Sequence, residues 1–393
     1  MDTPESESGV VSGATAIVLR ASKFAGIAPL RFTRGCGDGF HVTVCPTTAI
    51  ISSVALTTLH MTMGSVILYG VTVNAEAKRL FYKSIETMMT FIISMALIIS
   101  KTSLGVFTGK LRMRRLLYIV NQLQKIKDYN CCNVYEPKPW IVWTSLLSFT
   151  ISFLVLRELN LLMIIEFIGD LPYGIYLWSS KVIEHSIIDF LLLQHMTLIY
   201  NCYTTTKALN TRLNEHFLHS NRPYRIQLKE ERILLDDYMK IYHILTDASG
   251  DVIMLLLLID ITVSLLTTMY HLAWVIINLS KFNSLDFTLL LLSQVLFLIF
   301  HTIRIIILIE PCHQWQQEIK RTAILLSRIL CQKSNFSLKN KEWYSFIEDI
   351  STSLTPTVSP LGVFVFGRPL LGSVFGGVAT FFVSSMQLRS KPN

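Results

Sequence analysis

From Leu370 to Leu388 the chain holds no charged residue. As a helix rising roughly 1.5 Å per residue, the run is about long enough to cross the ~30 Å apolar core of a bilayer. Its polarity is unevenly placed. Ser373, Gly377, Thr380, Ser384 and Gln387 follow one another at spacings of four, three, four and three, which puts them on one helix face. Leu371, Val374, Phe375, Val378, Phe381, Phe382 and Met386 fill the others. A membrane helix with one small or polar face wants a neighbouring helix or water on that face. Two readings follow: a packing seam through Gly376 and Gly377, or the wall of a pore.

Composition extends this to the whole chain. Of 393 residues, 51% are hydrophobic and 16% charged, with mean hydropathy +0.47. A soluble protein carries about 25% charged residues. The chain therefore reads as an all-α, polytopic membrane protein. Its net charge of +8 marks inner loops rather than nucleic-acid binding.

Residues 1–46 read as a loosely ordered cytoplasmic arm with one interfacial helix. The acidic opening through Asp2, Glu5 and Glu7 is unlike a signal peptide, and the apolar run Ala14 to Leu19 is too short to span. Residues 47–309 carry six spanning segments: Thr47–Val73, Ser84–Phe107, Trp140–Ile168, Gly169–Tyr203, Asp251–Asn278 and Phe287–Ile309. Lys101 is expected to snorkel to the interface. The fourth segment is polar and aromatic in its first half, and the sixth is expected to end at Glu310-Pro311. Helical loops at 110–138 and 204–250 lie inside. Met113, Leu116, Leu117, Val120 and Leu123 mark a stripe in the first, and Leu234, Tyr238, Ile241 and Leu245 one in the second. Anchor helices follow at 310–359, with a stripe through Trp315, Ile319, Thr322, Leu326 and Ile329. The seventh segment is 360–388, and 389–393 is an outer tail.

The basic residues set the orientation. With the N-terminus inside, 24 of the 35 lysines and arginines lie in inner segments and 6 in outer ones. All seven cysteines then fall on or near the cytoplasmic side, where thiols stay reduced. Cys36, His41, Cys45 and the Cys131-Cys132 pair match no standard zinc spacing, and neither a metal nor a cofactor is expected. Two glycosylation sequons, at Asn278 and Asn335, test this topology. Asn335 is expected to stay unmodified; a glycan there, found by mass spectrometry, would invert the orientation.

The end of the chain resembles a known signature. Thr380-Phe381, five mostly apolar residues, then Gln387-Leu388 is similar to the Thr-Tyr-five-apolar-Gln-Phe motif of insect gustatory receptors, with Phe381 for Tyr and Leu388 for Phe. Upstream, Gly362, Phe364, Arg368 and Leu370 resemble the run preceding that motif, with Gly367 replacing Asn or Asp. The seven segments and inner N-terminus resemble the same family. The resemblance implies a tastant-gated cation channel in the plasma membrane, a homo- or hetero-tetramer around a pore lined by the last helix. It implies Gln387 and Leu388 at the gate, and an anchor of cytoplasmic helix ends. A polar ring of Gln387 and a dry ring of Leu388 are compatible with that. Thr380 and Ser384 complete the expected pore face.

For the ligand, Tyr173, Tyr176, Trp178, Glu184 and His185 on the fourth segment, and Tyr270, His271 and Trp274 on the fifth, offer aromatic faces with polar groups near the outer side. An interfacial aromatic belt explains the same residues. Asp260 lies near mid-membrane and calls for a cation, with Lys181 and Arg157 as candidates. Besides the small-molecule tastant, the expected partners are membrane lipids. An odorant receptor of the same superfamily is the nearest alternative. A G-protein-coupled receptor requires the opposite orientation. No enzyme is expected, since no spanning segment carries the His-x-x-x-His that a membrane zinc hydrolase would need.

Overall fold

The computed structural model describes residues 8–34, 39–73, 96–97, 99–130, 171–218, 233, 236–244, 252–277, 284–332 and 357–390. The expected third segment and Asn278 and Asn335 lie outside these residues. So do the second segment before residue 96 and the anchor between 333 and 356.

Residues 8–34 and 39–44 fold into a small sheet with one helix, where a loosely ordered arm was expected. Strands β1 (Ser8–Val11), β2 (Leu30–Arg34) and β3 (Phe40–Val44) form an antiparallel sheet in the order β1-β3-β2, with helix α1 (Gly13–Phe24) after β1. Phe40 to Val44 alternates apolar and polar residues, the period of a half-buried strand. A single sheet must bury its apolar face against another layer. The missing half comes from α3 (Gly109–Asn130), whose Met113, Leu116 and Leu117 pack with Val11, Leu19, Leu30 and Val42. Those three belong to the amphipathic stripe read from the sequence. Polar clamps complete the seat: Asn121 Nδ2 donates to the Ser8 carbonyl at 2.9 Å, and Arg112 Nη2 to the Ile27 carbonyl at 2.9 Å. Asn201 Nδ2 donates to Thr15 Oγ1 at 3.0 Å, tying α1 to α4 (Leu171–Leu218).

Helix α2 (Pro46–Val73) follows directly. It is rich in Ser and Thr, yet it suits an apolar medium because the hydroxyls bond back to carbonyls of the preceding turn. Thr57 donates to Ser53 at 2.8 Å, Thr58 to Val54 at 2.9 Å and Ser65 to Met61 at 2.9 Å. Ile50, Ile51, Val54 and Met61 are exposed, a face ready for lipid.

Cys45 sits just before α2, 3.0 Å from the Thr47 hydroxyl. Hydrogen bonds from the Thr47 and Thr48 side chains stabilise the thiolate and bring the thiol from its ordinary 9.0 to about 7. Thiolate is the reactive form, so alkylation of Cys45 by iodoacetamide should reach half its limiting rate near pH 7. Denaturation should move that midpoint back up toward the ordinary thiol value. Peptide mass spectrometry reads the rate at each pH; an identical midpoint in folded and denatured protein would show that the threonines do not act. Cys202 and Cys312 are fully buried and should stay unlabelled until unfolding.

Two helices are longer than the sequence suggested. α4 runs unbroken for 48 residues, past Tyr203 and well into the expected polar loop. α6 (Ser284–Gln332) runs for 49 residues with Pro311 inside it, so Glu310-Pro311 does not end the sixth segment. Proline removes one hydrogen bond and crowds the preceding turn. Here the cost is offset by packing on both sides of it: Leu308, Ile309, Cys312 and Trp315 are all fully buried. The main core joins α4, residues 236–244, α5 (Val252–Ile277), α6 and α7 (Arg368–Ser390). Among the described residues three helices are apolar and long enough to cross a membrane: Val252–Ile277, Leu290–Arg328 and Arg368–Gln387.

Candidate pore helix, anchor and ligand region

α7 is the least enclosed of the three. Only 6% of its apolar window is buried within the subunit, against 39% and 44% for α5 and α6. The burial it has is one-sided. Leu371, Val374, Phe375 and Val378 pack on the main core, while Ser373, Gly377, Thr380, Ser384 and Gln387 are all exposed. The polar face read from the sequence therefore points away from its own subunit. Thr380 Oγ1 donates to the Gly376 carbonyl at 2.8 Å and Ser373 Oγ to the Pro369 carbonyl at 3.1 Å, so these hydroxyls are satisfied on the helix itself. Leu388 lies on the helix, and its side chain is outside the described residues.

The approach to α7 explains two residues of the C-terminal run. Leu361 and Gly362 both take left-handed backbone, with φ 53 and φ 70, in the turn Pro360–Gly362. Glycine takes that conformation without the steric cost borne by a residue with a Cβ. Arg368 grips Glu310 of α6 with a two-pronged hydrogen bond, Nη2 to Oε1 at 2.7 Å and Nε to Oε2 at 3.2 Å. The sequence reading singled out Phe364, which is exposed. Phe366 is the buried aromatic: it has no exposed surface, and its carbonyl accepts from Gln316 Nε2 of α6 at 2.9 Å.

The two anchor stripes do meet. Trp315, Ile319 and Leu326 share one core cluster with Tyr238, Ile241, Val358 and Phe366. Leu234 and Leu245 and the side chain of Ile329 lie outside the described residues. At the centre is Asn210 of α4, which sequence reasoning missed. Its amide donates to the Glu318 carbonyl at 2.9 Å and to Glu318 Oε2 at 3.0 Å. Its oxygen accepts from Tyr238 OH at 2.9 Å and Thr322 Oγ1 at 2.7 Å. All four hydrogen-bonding positions of the amide are used. Burial pushes the Tyr238 phenol well above its ordinary value, so it remains a donor. Nearby, Trp315 Nε1 donates to Thr206 Oγ1 at 3.0 Å.

Asp260 has partners other than those expected. Lys101 forms an ion pair with one carboxylate oxygen, and Arg304 Nη2 lies 3.8 Å from the other. Arg304 Nε also pairs with Asp189 at 3.1 Å. Lys101 therefore does not snorkel; it is 1% exposed and points into the protein. The four groups carry two positive and two negative charges, contributed by the helical stretch 99–107, α4, α5 and α6. Lys181's side chain and Arg157 lie outside the described residues. Pairs so distant in sequence leave no local spacing that could have named them.

The expected ligand residues are less fully described. Tyr173, Tyr176, Trp178, Glu184 and His185 lie on helical backbone at the start of α4, their side chains outside the described residues, as is that of Trp274. Tyr270 is half-buried, with its ring centroid 5.7 Å from that of His271, which is exposed. No described contact joins the two groups.

The family described as 7tm chemosensory receptor matches residues 15–391. The insect olfactory receptor OR5 from Machilis hrabei is similar in structure, with a TM-score of 0.60 and 13% identity over 95% of this chain and 97% of that one. The same receptor in complex with eugenol matches to the same extent. At that identity the likeness concerns the fold alone. No curated protein matches the sequence.

Proposed function

Because the chain belongs to the 7tm chemosensory receptor family, we propose that it is a gustatory receptor: a tastant-gated, non-selective cation channel of four subunits, with α7 lining the pore. The observation that carries this reading is the exposed face of α7. A spanning helix that leaves its polar side outside its own subunit needs other copies, with water between them, to cover that side. In this reading Thr380, Ser384 and Gln387 wet the conduit and Leu388 closes it by dewetting. The Thr380 to Leu388 signature favours taste over smell. The related OR5 has been solved with eugenol, which supports a small organic ligand for this chain. Tyr173, Tyr176, Trp178, Glu184, His185, Tyr270, His271 and Trp274 remain the proposed contacts. The N-terminus and the extensions of α4 and α6 are placed in the cytoplasm of a plasma-membrane protein, following the basic residues. Whole-cell recording with a panel of tastants tests the reading; a receptor that reaches the surface and passes no evoked current with any of them, alone or co-expressed with other gustatory receptors, counts against it.

The proposed assembly makes a separate demand on the anchor. Leu326 is 1% exposed inside a single subunit. Leu326→Asp should therefore destroy the folded subunit rather than merely dissociate tetramers, because it buries an unpaired charge. Ile324, two positions away on α6, is 54% exposed and is the better probe of an intersubunit contact. Ile324→Asp should run as a folded monomer on native gels. Tetramers as abundant as in the parent would remove this face of α6 from the proposed interface.

A further inference from the structure

A cavity of about 340 Å³ opens between the helical stretch 99–107, α3, α4 and α5. That volume lies within the roughly 300–1,000 Å³ of small-molecule sites. It sits at the opposite end of α5 from Tyr270 and His271. Leu257 on its wall is separated from Tyr270 by about 20 Å of helix. It is therefore not the proposed tastant region.

The lining is amphipathic. Leu104, Leu191, Leu198 and Leu257 contribute apolar wall, while Arg112 and Arg115 supply two guanidinium groups. Thr108 and His195 also reach it. The decisive residue is Gln194. It is 4% exposed, it lines the cavity, and neither its Nε2 nor its Oε1 has a hydrogen-bond partner among the described residues. A buried carboxamide left without partners is costly. Here it lies in the wall of a chamber that also holds two cations, with neither amide atom satisfied by the described residues.

We propose that this cavity is a binding site for an anionic acylglycerol phosphate. The chain of the ligand lies on the leucine wall. Its phosphate accepts hydrogen bonds from Arg115, Arg112 and Gln194 Nε2, and a glycerol hydroxyl donates to Gln194 Oε1. The basic α3, on the cytoplasmic side in the proposed orientation, would face anionic headgroups there. Occupancy also bears on the ion network. Leu104 and Leu257 lie one helical turn from Lys101 and Asp260, so a bound chain would brace the helices that carry those charges.

Two sources share this chemistry: a membrane phospholipid and a soluble single-chain amphiphile. The test uses full-length receptor in phosphatidylcholine nanodiscs. Diazirine-bearing phosphatidylglycerol is included in the bilayer in one arm. Diazirine-bearing lysophosphatidic acid is added from solution in the other. Diazirine-bearing phosphatidylcholine is the control. After illumination, mass spectrometry should find label on the peptides holding Leu111, Leu198 and Ile253 from one or both anionic probes, suppressed by excess unlabelled lysophosphatidic acid. The arm that labels identifies the source. Arg115 is exposed, so Arg115→Ala should fold normally; it and Gln194→Leu should each lower the labelling about tenfold, the scale of a lost charge-assisted hydrogen bond. Label that is absent from these peptides, equal with the phosphatidylcholine probe, or unchanged in both folded variants would overturn the proposal. These readouts need no channel current, so failure of the site and failure of the channel reading are separable.

Discussion

Replacing Lys101 with Met should cost about 3–5 kcal/mol and largely remove the receptor from the cell surface, because it leaves an uncompensated buried carboxylate. Lys101 and Arg304 have fully buried side chains, and those of Asp260 and Asp189 are 6% and 13% exposed. Removing one cation leaves the cluster with net charge −1 in a largely buried place. Asp260→Leu alone should fail for the mirror reason, leaving an excess cation. The double variant Lys101→Met with Asp260→Leu retains the neutral Arg304–Asp189 pair, and should recover most of the lost stability. Recovery is expected because replacing a whole buried pair by apolar groups of similar volume is often neutral or better. Thermal unfolding of detergent-purified protein and surface labelling both read the series. A double variant no more stable than either single one would mean that the four charges do not act as one cluster.

The second large effect concerns α7. Cysteine at Ser384 or Gln387, on the exposed face, should make ligand-evoked current sensitive to a water-soluble methanethiosulfonate. Cysteine at Phe382 should react at least about tenfold more slowly, because only a solvated thiolate is a good nucleophile. Phe382 lies about 200° around the helix from Thr380, on the side of Leu371 and Val378, which contact the core. Leu388→Ala should pass current without ligand if the dry ring is the gate. Equal modification at Phe382 and Gln387, with no resting current in Leu388→Ala, would make the polar face a packing seam between subunits, and the conduit would have to lie elsewhere.

Much of this architecture was legible because it is periodic. The uncharged run after Pro46 announced α2, and the stripe through Trp315, Ile319 and Leu326 announced a helix that packs against Tyr238 and Ile241. The polar face of α7 was read correctly as a face, since spacing alone fixes which residues share a side. The failures are non-local. Pro311 carries a strong local stop signal, and the burial of Leu308, Cys312 and Trp315 that overrides it depends on helices far away in sequence. The N-terminal sheet was missed because its strands have four or five residues, and α3 completes the core, with Leu117 more than seventy residues after Val44. Lys101, Asp189, Asp260 and Arg304 belong to four different helical stretches. The cavity escaped for the same reason, although Gln194-His195 interrupting an apolar helix was a visible signal.

The unbroken length of α6 has a mechanical consequence. At 49 residues it is about 73 Å long, more than twice the ~30 Å apolar core of a bilayer. It is a stiff lever with the membrane as its fulcrum. A tilt of about 5° near its middle would sweep either end through roughly 3 Å, on the scale of a rotamer change. The base of α7 is coupled to this arm at two points six residues apart, Glu310 to Arg368 and Gln316 to the Phe366 carbonyl. A helix broken at Pro311 would absorb such a tilt as bending at the joint. A continuous one delivers it to the foot of α7 as displacement.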